Sequence, residues 1–319
     1  MPPPPPLLSS LPHGRTARRL GWEHLPPLVR AAVAERCGAA VVDDEPLTGG
    51  FLPGFSSVLT CADGSRHLVR AASTRAQRGY AHGCQLEART RPALPPQAPA
   101  APLRWVLREQ DWVAVGIEHV PGRTPTRPWS LEDATAVLTG LARAAEALTP
   151  APVALELETA AEAFATWPAA WDHVRATDPD LPHLEEMAAL AARFPHVCAG
   201  ETLVHTDVRD DTVLLTDDGR LLLDDWHWPV RGAAWIDPVI ALVGPRGDGL
   251  DADALLAACP LTAEVPRDHV DALLALLTGY YRQVADGPAV PAAPHLRAAQ
   301  RWQAEVCETW LRDRRFQPS

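Results

Sequence analysis

The sequence predicts an α+β protein in two parts, a small β-rich N-terminal lobe followed by a larger, mostly helical lobe. Three observations support this fold class. Short apolar runs separated by glycine-containing turns dominate residues 41–118. After Pro128, apolar residues recur at helical spacing. Within the helical part, a predicted hairpin over residues 213–223 lies between two segments rich in Asp.

The predicted small lobe combines strands with helices that pack on them. Its predicted elements are, in chain order, a helix over residues 26–38, strands at 58–61 and 67–71, a helix over 80–90, and strands at 105–108 and 112–115. A glycine- and serine-rich turn over residues 47–57 lies upstream of the first hairpin. Glycines let a backbone approach a ligand closely and present N–H donors, so this turn is a candidate phosphate-binding loop.

The predicted large lobe follows a connector at residues 118–123. Its helical stretches are predicted at residues 130–148, 155–175, 181–193, 251–258, 267–284 and 295–314. In the last stretch, Trp302, Val306 and Trp310 are spaced four residues apart and share one helix face. This spacing favours a place in the core over a ligand-stacking platform.

Composition favours a folded, acidic, cytoplasmic protein. Of the 319 residues, 47% are hydrophobic, which is enough for a sizeable core. The net charge of −11 argues against general nucleic-acid binding and is compatible with a cationic small substrate, although ordinary solubility charge explains it equally well. No apolar run is long enough for a signal peptide or a membrane span, and six scattered cysteines suit a reducing compartment. We therefore expect no membrane partner, and a disordered proline-rich tail over residues 1–21.

The most informative segment runs from His205 to Thr212 and reads His-Thr-Asp-Val-Arg-Asp-Asp-Thr. It follows the catalytic-loop template H-x-D-x-x-x-x-N except at the last position, where Thr212 replaces Asn. The hairpin over residues 213–223 is predicted to bring Asp207 and Asp225 to the same end of a small sheet. Phosphoryl transfer needs such a pair, because one carboxylate orients the attacking hydroxyl and another holds magnesium.

The chain resembles the aminoglycoside phosphotransferase-like family, in its actinobacterial group of small-molecule kinases. Asp225 and Trp226 resemble the D-W pair that replaces D-F-G in that family, and residues 232–237 resemble its next helix start. The resemblance implies a bilobal protein-kinase-like fold, with a nucleotide-binding N-lobe at residues 22–118 and a C-lobe at 119–319 that carries the catalytic loop and the substrate-binding helices. It also implies ATP-dependent phosphorylation of a hydroxyl on an aminoglycoside, another antibiotic, an amino sugar or a biosynthetic intermediate.

This resemblance assigns expected roles to individual residues. Asp207 is the catalytic candidate, and His205 is expected to hold the loop by hydrogen bonds rather than to transfer a proton. Asp225 and Thr212 are the candidate Mg²⁺ ligands, with ATP as phosphate donor. The candidate nucleotide-binding residues, from the glycine-rich turn, the strand–helix ion pair and the connector, are Gly49, Gly50, Gly54, Ser56, Arg70, Glu87, Glu118 and Val120.

Four other acids are expected to have supporting roles. Asp224 should point to the face opposite Asp225 if its strand persists that far, and is interpreted as structural. Asp210 and Asp211 are expected to be solvated, although either is able to face a cationic substrate. By the family resemblance, Asp237 supports the loop rather than reacting.

Two departures from the family pattern leave the activity open. Thr212 offers a shorter ligand than Asn, so magnesium there would need a bridging water. Arg70 stands where the family's strand carries Lys, in a chain whose 29 basic side chains are all Arg. The two are not interchangeable at a fitted site. A slow or retuned kinase, a kinase adapted to Arg, and a nucleotide-binding pseudokinase with a regulatory or binding role all fit the sequence. A sugar- or peptide-binding scaffold without nucleotide is a further reading with less support.

Overall fold

The computed structural model describes residues 4–7, 9 and 11–316. The part of the expected tail at residues 1–3, 8 and 10 lies outside the described residues, as do residues 317–319. Within the described ranges, no helix is both long enough and apolar enough to cross a membrane.

The N-terminal segment departs from the expected disorder over residues 11–21. The Ala17 amide donates to the carbonyl oxygen of Thr48 at 3.0 Å, and the hydroxyl of buried Thr16 donates to the carbonyl oxygen of Gly50. The proline-rich composition predicted a segment without hydrogen-bond partners in the folded protein. The backbone of the glycine-rich turn supplies such partners, and composition carries no information on this contact.

An antiparallel sheet forms the small lobe in the described part of the chain, with strand order β1-β2-β3-β5-β4. Its strands are β1 Val41–Pro46, β2 Phe55–Cys61, β3 Arg66–Ser73, β4 Leu103–Glu109 and β5 Trp112–Glu118. Two helices cover it, α1 Pro27–Cys37 and α2 Arg78–Thr90. Gly38 ends α1 with φ 89° and Gly64 turns β2 into β3 with φ 84°, conformations that side chains with a Cβ rarely adopt.

The large lobe is mostly helical, as predicted. Its helices are α3 Leu131–Ala147, α4 Ala160–Ala163, α5 Ala170–Thr177, α6 Leu184–Val197, α7 Ile236–Ala241, α8 Val243–Gly247, α9 Ala252–Ala258, α10 Arg267–Ala285 and α11 Leu296–Arg315. Its short strands are β6 Gly122–Arg123, β7 Thr202–Val204, β8 Val213–Thr216, β9 Leu221–Leu223 and β10 Val230–Gly232. The predicted two-part α+β class is therefore confirmed.

Apolar side chains form separate cores in the two lobes. One cluster lies between α1 and the sheet, and a second lies between α2 and the opposite face of the sheet. A larger cluster fills the helical lobe, where α10 packs against α6 and α11. Trp302, Val306 and Trp310 belong to this cluster, which confirms their predicted place in the core.

The helix predicted over residues 155–175 is wrong as a single element. The structure has α4, a short 3-10 turn at Trp167–Ala169 and then α5. Pro168 lies in that turn, and proline interrupts a helix because it lacks an N–H donor and clashes with the preceding turn. The apolar spacing continued across the break, so spacing alone did not reveal it.

Two small sheets position the motif segments. The predicted hairpin is confirmed as β8 and β9, with Gly219 at φ 80° in the turn. Strand β10 pairs with β7, with Val230 opposite Val204, so the loop after β7 starts beside the segment that enters β10. Sequence analysis missed β7 and β10 because each is three residues long and its partner is distant in the chain.

Truncating a side chain in the core of the large lobe should destabilise the protein strongly. Phe194 is fully buried and contacts the rings of Phe164 and Trp235 edge-on. We expect Phe194→Ala to lower the free energy of unfolding by about 3–5 kcal/mol, through lost burial and a residual cavity. Urea denaturation measures this value. Leu131→Ala, at a side chain that is 61% exposed, is the control, and equal losses in the two variants would contradict the assigned core.

Candidate functional site

Residues of both lobes line a cleft of about 910 Å³. Among the candidates from sequence, those that line it are Gly49, Gly50, Ser56, Arg70, Glu118, Val120, Thr212 and Asp225. The candidates that lie outside the lining are Gly54, Glu87, His205 and Asp207. The connector, the glycine-rich turn and the acidic loop therefore meet at one site.

Asp237 holds the start of the acidic loop. Its carboxylate accepts hydrogen bonds from the amides of His205 and Thr206, each at 2.8 Å. Thr206 has φ 68°, an unusual conformation for a residue with a β-branched side chain. Asp237 is buried at the start of α7, so it fixes this strained backbone from a rigid element.

His205 links the loop to the segment after the hairpin. Its Nε2 lies 2.7 Å from the carbonyl oxygen of Asp224, and its Nδ1 lies 3.3 Å from the amide nitrogen of Asp207. This geometry fits a neutral imidazole that donates through Nε2 and accepts at Nδ1. Burial lowers the pKa of His205, which also favours the neutral form. The ring packs edge-on against buried Trp226, with the centroids 4.8 Å apart.

Asp207 lies at the centre of the loop with 34% of its side chain exposed. Arg209 forms an ion pair with its Oδ1 and also bonds Asp211, with its Nε 2.9 Å from Oδ1 of that acid. Burial raises the pKa of Asp207; Arg209 lowers it, and the carboxylates of Asp211 and Asp225 raise it. The pKa is raised overall. The charge of Asp225, which follows the hairpin, is one of the causes of this shift.

Thr212 is part of the internal bonding of the loop. Its hydroxyl donates to the carbonyl oxygen of Asp207 at 2.8 Å and accepts from the amide of Arg209 at 2.9 Å. The residue is 1% exposed. Its side chain thus closes the loop on itself, and the hydroxyl is not presented as a free metal ligand.

Arg70 on β3 is bonded to three carboxylates from three different segments. Its Nη1 lies 2.6 Å from Oε2 of Glu87 on α2 and 3.0 Å from Oδ1 of Asp225, and its Nη2 bonds Asp224. Burial alone would lower the pKa of Arg70, but the carboxylates of Asp224 and Glu87 raise it well above its ordinary value. The planar fork of an Arg allows this sharing, because its donors point in fixed, separate directions.

Asp224 is expected to face away from Asp225 only if its strand persists that far, and the strand ends one residue earlier. Instead of facing away from Asp225, Asp224 lines the cleft and bonds the same guanidinium. Strand β9 ends at Leu223, and Asp225 has φ 58°, so the alternation of a strand no longer applies here. Arg91 also bonds Asp224, with its Nη2 at 2.6 Å from Oδ1.

Arg91 completes a buried network that sequence analysis missed. It lies one helical turn after Glu87, and its Nε is 2.9 Å from Oε1 of that acid. Arg70 and Arg91 are thus two cations that face three carboxylates, those of Glu87, Asp224 and Asp225. The spacing of Glu87 and Arg91 was the available signal, whereas the contact with Asp224 depends on the tertiary structure.

His227 joins this network from the segment after Trp226. Its Nε2 is 3.9 Å from Oε2 of Glu87, and its ring fills the space beside Gly83, where an added Cβ would lie 2.9 Å from the ring. Ligand atoms of Glu87, Asp225 and His227 lie within 4.8 Å of one another. The guanidinium of Arg70 already pairs with two of these three groups, Glu87 and Asp225, and so takes the place that a metal ion would have between them.

The glycine-rich turn covers the acidic loop. A Cβ on Gly49 would lie 3.3 Å from the Cβ of Asp211, so the two loops approach closely here. Gly50 has φ 77°, which favours glycine. Gly54 has a different role from the expected one: a Cβ there would overlap the ring of Tyr80 at 2.2 Å, so this glycine accommodates packing rather than lining the cleft.

Asp210 and Asp211 also line the cleft and are less solvated than expected. Burial and then the charge of Asp211 raise the pKa of Asp210 to about 6. Arg127 lies 3.8 Å from Asp210 and is bonded more tightly to Asp248 at 2.5 Å. Carboxylates outnumber guanidiniums among the residues that line the cleft, so its inner wall is negative overall.

The donor set of the cleft suits a hard cation such as Mg²⁺, which prefers carboxylate oxygens and water. Asp225 fits as a ligand, because Arg70 contacts its Oδ1 and the network retains more negative than positive charge. Thr212 does not fit in this arrangement, since its hydroxyl is bonded within the loop. Water or phosphate oxygens would have to complete the coordination.

No family model and no curated protein matches the chain, so sequence comparison assigns it to no family. Solved structures match it over most of its length. A thermostable variant of aminoglycoside phosphotransferase APH(4)-Ia, in a ternary complex with ADP and hygromycin B, is 14% identical, with a TM-score of 0.61, covering 91% of this chain and 99% of that one.

Two other similar structures are small-molecule phosphotransferases as well. A macrolide 2′-phosphotransferase type I is 18% identical with a TM-score of 0.54, covering 90% of this chain and 98% of that chain. Choline kinase LicA from Streptococcus pneumoniae is 13% identical with a TM-score of 0.58, covering 88% and 98%. At these identities the likeness establishes the fold. The chain has the bilobal kinase-like fold of the aminoglycoside phosphotransferases, as its motifs predicted.

Proposed function

We propose that this protein is an ATP-dependent phosphotransferase that phosphorylates a hydroxyl of a small molecule. The observation that carries this proposal is the ion pair of Asp225 with Arg70 at one interlobe cleft, beside the loop that holds Asp207. Asp225, Arg70 and Thr212 of that loop line the cleft, whereas Asp207 lies outside its lining. The similar structures, which include complexes with ADP and with AMP-PNP, support a nucleotide in this cleft.

Asp207 is assigned to the acceptor. Its carboxylate accepts a hydrogen bond from the attacking hydroxyl and orients it toward the γ-phosphate. Arg209 holds the carboxylate in place and balances its charge. His205 and Asp237 act on the backbone of the loop, so they position Asp207 without touching the acceptor.

Asp225 is assigned to hold Mg²⁺, which would offset the charge of the phosphates when bound. Arg70 holds the Asp225 carboxylate and ties it to Glu87 of the small lobe. Gly49, Gly50 and Ser56 are assigned to the phosphates, and Glu118 and Val120 of the connector to the base of the nucleotide. All five residues line the cleft.

The acceptor is proposed to be a hydroxylated compound that carries positive charge. Asp210 and Asp211 form the acidic wall beside the catalytic loop, and the protein as a whole has a net charge of −11. The neighbouring structures act on antibiotics and on choline, which are varied acceptors. The acidic wall favours the cationic members of that range.

A nucleotide-binding protein without turnover is the second candidate function. Two observations favour it. Arg70 is already bonded to three carboxylates, and the hydroxyl of Thr212 is bonded inside its loop. Both groups would otherwise be available to phosphate or magnesium.

A phosphotransfer screen separates the two functions. The purified full-length protein is incubated with Mg²⁺, radiolabelled ATP or GTP, and a panel of aminoglycosides, macrolides, amino sugars and choline, while binding of AMP-PNP is measured by calorimetry. Magnesium-dependent transfer of label to an acceptor supports the phosphotransferase. Nucleotide binding without transfer to any acceptor supports the second function, and absence of both contradicts the proposal and its alternative.

Replacing Asp207 and Asp225 separately by Asn should distinguish acceptor chemistry from nucleotide binding. We expect Asp207→Asn to lower kcat by about 10²–10⁴-fold, because the amide no longer accepts the hydroxyl proton, with nucleotide affinity nearly unchanged. Asp225→Asn should also weaken binding of the magnesium–nucleotide complex. Steady-state kinetics and calorimetry measure the two effects, and Asp172→Asn, at a side chain that is 79% exposed, is the control. Wild-type turnover in either variant would refute the role of that acid.

Replacing Arg70 by Lys should harm the enzyme even though the charge is kept. A single ammonium lacks the fork that reaches Glu87, Asp224 and Asp225 together, so a buried carboxylate loses its partner. We expect Arg70→Lys to lower kcat/KM for ATP by about tenfold or more, and Arg70→Ala to lower it further and to destabilise the fold.

The same kinetic assay with Arg108→Lys, at an exposed position of β4, controls for the general effect of introducing Lys. An Arg70→Lys enzyme that is faster than wild type would mean that the site still favours the Lys of the family pattern. In that case the site has not been fitted to a guanidinium.

A further inference from the structure

The N-terminal segment, residues 11–20, lies along the glycine-rich turn. The Leu20 amide donates to the carbonyl oxygen of Gly54 at 3.2 Å, and the hydroxyl of Thr48 donates to the carbonyl oxygen of Gly14 at 2.6 Å. With the contacts of Thr16 and Ala17 described above, the two segments bond each other in both directions. The turn therefore depends on residues outside the sheet for its conformation.

Arg19 is the centre of this contact. Its Nε donates to the carbonyl oxygen of Leu47 at 2.9 Å, Nη1 to that of Leu52 at 2.7 Å, and Nη2 to that of Gly49 at 2.6 Å. The turn thus wraps around one guanidinium. The same guanidinium lies over the ring of Tyr80, 5.2 Å from its centroid. A contact this extensive orders a turn that the flexibility of its glycines would otherwise leave mobile.

The carbonyl groups that Arg19 binds matter for an anion in the cleft. A carbonyl oxygen that faces a phosphate repels it, whereas an amide N–H attracts it. Arg19 draws three carbonyl oxygens of the turn toward itself, and Thr16 binds a fourth, that of Gly50. Those four oxygens accept hydrogen bonds from Arg19 or Thr16, so they are not left unpaired to repel an anion in the cleft.

Arg19 also differs in charge balance from the other guanidiniums that line the cleft. Arg70 is bonded to three carboxylates, and Arg127 is paired with Asp248. Within the described ranges, the hydrogen bonds of the Arg19 side chain go to carbonyl oxygens and none goes to a carboxylate. A carbonyl does not cancel a full charge, so Arg19 adds positive potential to this end of the cleft.

The N-terminal segment is attached to the large lobe as well. Nδ1 of His13 lies 3.9 Å from Oδ2 of Asp210, and the Leu7 amide donates to the carbonyl oxygen of Gly247 at 2.8 Å. Nε1 of Trp302 donates to the carbonyl oxygen of Leu7 at 3.2 Å. His13 of this segment and Leu7 before it therefore contact the large lobe, which restrains the position of Arg19.

We propose that Arg19 is a positioning residue for the nucleotide phosphates, acting through the turn at residues 47–52. It holds the turn in a conformation ready to bind phosphate and adds a positive charge there that no carboxylate bonds directly within the described ranges. This inference rests on the proposed nucleotide site, and it extends that site to a segment outside both predicted lobes. A role confined to general stability would leave nucleotide affinity unchanged once the protein is folded.

The test compares Arg19→Ala, Arg19→Lys and Arg18→Ala in the full-length chain. Arg18 is exposed and adjacent, so its substitution removes the same charge without the contacts to the turn. Calorimetry with Mg²⁺ and AMP-PNP measures nucleotide affinity. Hydrogen–deuterium exchange over residues 47–54, without nucleotide, measures the order of the turn, and thermal unfolding measures the stability of the fold.

We expect Arg19→Ala to weaken AMP-PNP binding by about tenfold or more and to speed exchange over the turn, since several charged hydrogen bonds are lost. Arg19→Lys should recover part of the affinity, because an ammonium still carries the charge and reaches some of the carbonyls. Arg18→Ala should match wild type in both measurements. The melting temperature should fall little, because the contacts lie at the edge of the lobe.

Two results would overturn the inference. One is unchanged AMP-PNP affinity in Arg19→Ala, whether or not exchange over the turn is faster. The other is equal weakening in Arg18→Ala, which would show a general charge effect. If the wild-type protein binds no AMP-PNP, the proposed function fails first, and faster exchange in Arg19→Ala would then show only that Arg19 orders the turn.

Discussion

The guanidinium of Arg70 joins the two lobes at the point where the chemistry is proposed to occur. It connects β3 and α2 of the small lobe to Asp224 and Asp225, which follow the hairpin of the large lobe. Arg91 reinforces the same link by binding Glu87 and Asp224. Burying several charges together is costly unless each is paired, so these elements must keep their mutual positions for the network to persist. The shape of the cleft depends on that constraint.

This network gives a physical account of Arg70, which at first resembles a defect in a kinase site. A Lys is a compact point charge, whereas an Arg serves several acceptors in fixed directions. Asp224 supplies the additional acceptor, and Arg91 supplies the additional cation. The partners around this position therefore suit a guanidinium, which serves several acceptors at once.

The loop at residues 205–212 is held in a different way, by bonds to its backbone. Asp237 accepts from two successive amides, His205 connects the loop to the residue before Asp225, and Thr212 closes the loop on itself. These bonds keep Asp207 in place while its side chain remains partly exposed. The cost of this arrangement is that Thr212 has little capacity left for a metal, so Asp225 is the ligand on which magnesium binding is proposed to depend.

The sequence by itself determined the two-lobe class, the hairpin between the acidic segments and the core face of the last helix, because these follow from local spacing and turn residues. The order of motifs along the chain singled out Asp207 and Asp225 as candidates, and the family resemblance predicted the pairing of Arg70 with Glu87, which the structure contains. Only the tertiary structure decided where Asp224 points, that Arg91 binds Asp224, and that Arg19 holds the glycine-rich turn. Those contacts join residues that are distant in sequence or depend on a single backbone angle, such as φ 58° at Asp225. Local pattern carries no information on either.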